Sequence, residues 1–132
     1  MTPKRTSAAD THATPLRLVI VSMDTHLASA TARARQVLSR EMPGLTLSLH
    51  AASEFAGHPA ALARCKADIA EADIVVAGML FLEDHFLPIL DDLRARRDHC
   101  DAMICLMSAS EVVKLTRLGH FDMGKPASGP MA

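Results

Sequence analysis

Two short segments concentrate the side chains able to bind a ligand or move a proton: Asp24-Thr25-His26 and Phe81-Leu82-Glu83-Asp84-His85. Asp24, His26, Glu83, Asp84 and His85 together offer two imidazoles and three carboxylates. Carboxylates suit a hard cation, and imidazoles a transition metal. Each segment follows an apolar run and precedes a stripe of helical period, which is the place of a loop at the carboxyl end of a strand. The same residues also have an ordinary use. Asp or Thr ahead of a helix caps it, and Glu83 and Asp84 complement the positive end of the helix that follows. Both readings stay open at this stage.

Several standard chemistries lack their residues. No G-x-G-x-x-G follows the first strand and no G-x-x-x-x-G-K-[ST] occurs, so neither a dinucleotide nor a P-loop triphosphate cradle is present. A phospho-receiver needs an Asp at the end of the third strand, where Gly78-Met79 stands. Ser108 and Ser110 lack the G-x-S-x-G elbow of a nucleophilic serine. Asp24-Thr25-His26-Leu27-Ala28-Ser29 approaches the D-x-H-x-x-G loop of cobalamin-binding domains. Ser29 replaces its Gly, however, and Met107-Ser108 stands where a Gly-Gly would follow the fourth strand.

The elements that must position these residues alternate. Leu16–Met23 reads as a buried strand, and a helix from Thr25 carries Leu27, Ala30, Ala34, Val37, Leu38 and Met42 on one stripe until Pro43-Gly44. Leu45–His50 is a second strand. Pro59 opens a second helix with Leu62, Cys65, Ile69 and Ala72 inward. Asp73–Met79 is the most apolar strand, followed by a helix striped with Phe86, Ile89, Leu90 and Leu93 and ending in Arg94, Arg96 and Arg97. Asp101–Met107 is a fourth strand. Ser108 and Glu111 have capping-box spacing for a last helix to about Leu118.

Strict alternation predicts an α/β fold: a three-layer, doubly wound parallel sheet, flavodoxin/Rossmann-like, with four strands in the order 2-1-3-4. Residues 1–14 read as a disordered leader, 15–120 as the α/β domain, and 121–132 as an irregular tail. Such domains usually carry a fifth strand, so the fold is expected to be incomplete at the C-terminus and the chain to be a piece of something longer.

Composition narrows the partners. The 132 residues hold 14 Lys and Arg against 15 Asp and Glu, a formal charge of −1, with four Phe and no Tyr or Trp. Neither the field nor the stacking rings for nucleic acid are there. The longest apolar run, Ile74–Leu82, falls well short of the roughly 20 residues a transmembrane helix needs. Cys65, Cys100 and Cys105 have no C-x-x-C partner, and a reduced, cytoplasmic setting with buried thiols is expected.

Three stretches carry a longer likeness. LRLVIVSMDTHLASA (16–30), LARCKADIAEADIVVAGMLFLEDHFLPIL (62–90) and RRDHCDAMICLMSASEVVKLTRLGHFDM (96–123) resemble the N-terminal segment of the magnesium chelatase large (H) subunit family. The likeness runs from about Leu16 to Ala132. It implies a place in the subunit that binds protoporphyrin IX while Mg²⁺ is inserted, in chlorophyll or bacteriochlorophyll synthesis. It implies as partners the remainder of the H subunit and the two ATPase subunits, whose ATP hydrolysis drives an insertion made costly by the reluctance of Mg²⁺ to lose water. The family's main porphyrin-handling region lies beyond Ala132. No catalytic residue, metal site or cofactor therefore transfers to this segment, whose implied role is scaffolding or regulatory. Without a transit peptide, a bacterial cytoplasmic location is expected, with membrane association only through partners.

Two other classes of function compete: a free-standing flavodoxin-like module for a small molecule such as a tetrapyrrole, and an interaction domain whose rim residues are caps. In the binding reading, Asp24, His26, Glu83, Asp84 and His85 meet a ligand and Met79, Leu80 and Phe81 supply apolar contact.

Overall fold

Aliphatic runs bounded by turn residues form the strands, and stripes of helical period form the helices between them. The computed structural model describes residues 15–124. Strand β1 (Leu16–Ser22) leads to α1 (Ala28–Glu41) and β2 (Leu45–Ala51), then a 3₁₀ turn at Ala52–Glu54 and α2 (Pro59–Ala70). Next come β3 (Ile74–Gly78), α3 (Glu83–Arg97), β4 (Ala102–Leu106), the short α4 (Ser110–Val113), β5 (Arg117–Leu118) and β6 (Phe121–Asp122). The sheet order is β2-β1-β3-β4-β5-β6. The first four strands are parallel, with Leu18 opposite both Leu47 and Ile74, and Ile74 opposite Ala102.

This is the expected α/β class and the expected 2-1-3-4 core. The expectation of four strands is corrected by two short antiparallel additions, with Ala102 opposite Leu118 and Leu118 opposite Phe121. Thr116 causes the return. Its hydroxyl accepts from the Cys105 N–H at 2.9 Å and donates to the Cys105 carbonyl at 3.1 Å, drawing the chain back along β4. Gly119, at φ 60°, then makes the turn into β6. For the same reason α4 stops at Val113 instead of running to Leu118. Phe121 and Asp122, expected within the irregular tail, are strand. The leader 1–14 and the stretch 125–132 lie outside the described residues.

The two sheet faces differ. Val19, Val21, Val75, Ala77 and Met103 point toward α2 and α3 and are 0–2% exposed, packed with Cys65, Ile69, Phe86, Ile89 and Leu93. His50 on β2 and Asp68 on α2, bonded at 2.7 Å, tie that layer to the sheet edge. The opposite face carries α1, which lies along β2. Its expected stripe is only partly used: Thr31 is its one buried residue, while Val37 and Met42 are exposed.

All three cysteines are free and buried. Burial pushes the Cys65 and Cys105 thiols up to about 12 and raises that of Cys100. Among the described residues no helix is long and apolar enough to cross a membrane.

Candidate functional site

Because β1 and β3 are neighbours, the loops leaving their carboxyl ends meet on one rim. Asp24 begins the first. Its Oδ1 accepts the His26 amide N–H at 2.9 Å and contacts Nδ1 of the same ring, an Asx turn that delays α1 to Ala28. Asp24 is thus not the cap of α1, whose preceding residue is Leu27. The His26 amide bond first, then the His26 ring, holds the Asp24 carboxyl below the ordinary carboxylate range; the His85 charge acts in the same direction.

The second loop opens α3. Glu83 and Asp84 are exposed in its first turn, with Leu82 ahead of them and no side-chain cap, so their position complements the helix dipole. His85, half-buried, lies within electrostatic reach of Asp24. The structure therefore brings Asp24 and His26 into contact with His85 nearby, and leaves Glu83 and Asp84 facing outward. Among the described residues no group of three His, Cys, Asp or Glu side chains is placed to hold a metal ion.

Two buried polar atoms have no hydrogen-bond partner among the described residues: Nδ1 of His85 and Oγ of Ser22, the last residue of β1. Both sit at the carboxyl end of the sheet. Buried polar atoms are nearly always satisfied, so a pair of orphans here is the usual mark of a missing contact.

Two further features of the rim escaped the sequence, and a third, its apolar shelf, the sequence predicts only at Met79, Leu80 and Phe81. Met79 and Met107 adopt left-handed backbone, φ 63° and 45°, which non-glycine residues rarely hold. Ser108 does not build the expected capping box. Its Oγ accepts from the Leu80 N–H at 3.0 Å and donates to the Leu106 carbonyl at 2.8 Å, tying the β3 and β4 loops together. Leu80 is buried, but Phe81, Leu82, Leu106 and Met107 are 53–68% exposed, giving the rim an apolar shelf. The uninterrupted apolar character of Ile74–Leu82 past the strand end is the one sequence signal of that shelf. A cleft of about 230 Å³ opens between α1 and β2, lined by Thr25, Thr31, Arg35 and Glu54.

An exposed imidazole–carboxylate pair, a second imidazole with an unmet nitrogen and an apolar shelf form a surface suited to binding.

Residues 17–132 match the family described as a domain of unknown function, DUF3479. Over 115 residues, 87% of the chain, the sequence is 47% identical to the magnesium-chelatase H subunit of Cereibacter sphaeroides and 44% identical to that of Rhodobacter capsulatus. Over 59 residues it is 34% identical to the chloroplastic magnesium-chelatase protein ChlH of Oryza sativa subsp. indica. The chain spans 10% of the length of each of the two bacterial relatives.

Proposed function

The chain belongs to the DUF3479 family, and on that premise we propose that it is the N-terminal segment of the porphyrin-binding H subunit of a magnesium chelatase. The observation that carries this reading is the 44–47% identity to two bacterial H subunits across nearly all of the α/β domain. The complete subunit would hold protoporphyrin IX while two ring protons are exchanged for Mg²⁺. Two partner ATPase subunits would supply the free energy needed to strip water from the ion. Its product feeds chlorophyll or bacteriochlorophyll synthesis. We place the subunit in the bacterial cytoplasm, where three unpaired thiols stay reduced.

Within that subunit this segment scaffolds or regulates. It corresponds to a tenth of the length of the bacterial relatives, and its rim presents an imidazole–carboxylate pair beside exposed apolar residues. A narrower reading rests on the orphaned His85 nitrogen: the rim touches the tetrapyrrole, with His26 and His85 as polar contacts and the shelf around Phe81 against the ring. The test is reconstitution. The full reading frame that contains this segment, mixed with the two ATPase subunits, ATP, Mg²⁺ and protoporphyrin IX, should yield Mg-protoporphyrin, and the 132-residue chain in its place should yield none. An inactive full-length product would overturn the assignment; activity of the short chain would overturn the division of labour.

A further inference from the structure

The sheet face that carries α1 is only partly covered. Leu18 and Ile20 of β1, Ile74 and Val76 of β3 and Ile104 of β4 share that face by register, and all five are half-buried. On the other face Val19, Val21, Val75, Ala77, Met103 and Cys105 are 0–2% exposed. Central parallel strands are almost always covered on both sides, which is why they are apolar throughout. Here α1 covers β2, while Leu18, Ile20, Ile74, Val76 and Ile104 are only partly covered by the described residues, and Ser22 and Ala102 on the same face are buried.

The uncovered area has the form of a groove. Arg35 turns toward β2, donating to the Leu47 carbonyl at 2.7 and 3.0 Å. Helical geometry then places Ala30, Ala34 and Val37 on the opposite flank of α1, as the groove wall, with Arg33 and Glu41 at its margins, and Val37 is 47% exposed. The floor from β1 to β4 spans two strand spacings, about 10 Å. One helix is about 10 Å across, and small alanines on the wall permit close approach.

We propose that this groove seats an apolar helix of the same polypeptide, contributed from beyond residue 132 of the H subunit. The inference rests on the function proposed above and adds to it how this segment is joined to the rest. Three observations select that occupant. The relatives carry nine-tenths of their length outside the matched region. The five central floor side chains, Leu18, Ile20, Ile74, Val76 and Ile104, carry no charge or hydrogen-bonding group, and Ser22 is the polar residue of that face, at the end of β1. An apolar centre of this kind resembles a permanent interior more than a transient, polar-rimmed site. In sequence, residues 1–14 and 125–132 show no apolar stripe of helical period. A second copy has no suitable helix either, since α2 and α3 bury their stripes in the core.

The experiment uses the full-length subunit with Val76→Cys on the groove floor. Alkylation of that thiol in the native subunit should be slower than in unfolded subunit by about a hundredfold or more. A photoreactive phenylalanine analogue at Phe121, which register places on the groove side of the sheet, should cross-link to a peptide beyond residue 132 of its own chain. A native rate within about tenfold of the unfolded rate would overturn the inference, as would cross-links joining two copies. Assaying Mg-protoporphyrin formation on the same preparations separates the two claims. An active subunit with an open groove sinks the docked helix alone, and an inactive unmodified subunit with a covered groove sinks the functional assignment alone.

Discussion

The amide of Met79 donates to the carbonyl of Met107 across 2.9 Å, and both residues hold positive φ. This one bond closes the gap between the ends of β3 and β4, and each methionine takes up a conformation that costs an L-residue about 1–2 kcal/mol. Glycine at Met107, whose side chain is 68% exposed, should therefore stabilise the 132-residue chain by about 1 kcal/mol, while Met107→Val should destabilise it by about as much. Urea unfolding midpoints of the two variants decide the matter. Equal midpoints would mean that the rim relaxes without strain in solution.

The Asp24–His26 contact predicts a pH dependence. A carboxylate held below its ordinary value in the folded state contributes stability above the unfolded pKa, and that contribution is lost as pH falls through the folded pKa. The difference in unfolding midpoint between the unmodified chain and Asp24→Asn should be constant near neutrality and shrink below about pH 4. A difference unchanged down to about pH 2 would show that the pair does not form in solution.

For the rim, the informative variants are His26→Ala and His85→Ala in the full-length subunit. Protoporphyrin affinity should fall by about tenfold while unfolding stability changes by less than about 0.5 kcal/mol. Fluorescence titration and denaturant unfolding give the two quantities. Intact affinity with lowered stability would assign both side chains to packing.

Core and groove should respond differently to truncation. Ile89→Ala, at a fully buried position, should cost the 132-residue chain about 3 kcal/mol, whereas Ile20→Ala on the half-covered face should cost about 1 kcal/mol. In the full-length subunit the second cost should rise toward the first. Equal costs in the short chain would mean that the open face is already packed.

Most of the fold was legible because long elements advertise themselves. Phe86, Ile89, Leu90 and Leu93 announced α3 by their spacing, and Ile74–Gly78 announced a central strand by its lack of polar residues. Strands of two residues carry no period, so β5 and β6 depended on the Thr116 hydroxyl and Gly119, whose effect only tertiary structure reveals. At the rim, strand order could be read and therefore the neighbouring of the two loops, with His26 expected near Glu83 and His85. His85 lies within reach of the Asp24–His26 pair, while Glu83 is exposed in the first turn of α3. The Asx turn, the orphaned nitrogen of His85 and the Ser108 bridge depend on which of several allowed partners each polar atom finds. The half-empty stripe of α1 misled in an instructive way: Ala30, Ala34 and Val37 have the spacing of a buried face, and within these residues they are a wall.

Arginines stand at both ends of the sheet. Arg35 occupies the Leu47 carbonyl on β2, the outermost strand on one side. On the other, Arg97 reaches the Leu115 carbonyl and Asp122, while Arg117 reaches the carbonyls of Arg97 and Cys100, fastening β5 and β6 to the end of α3. Open sheet margins are where chains recruit one another into ribbons and fibrils, and a guanidinium parked on the backbone, or a strand only two residues long, gives a newcomer little to pair with. At the β6 margin the sheet therefore offers an incoming strand little backbone to template on, and at the β2 margin the Leu47 carbonyl is already taken.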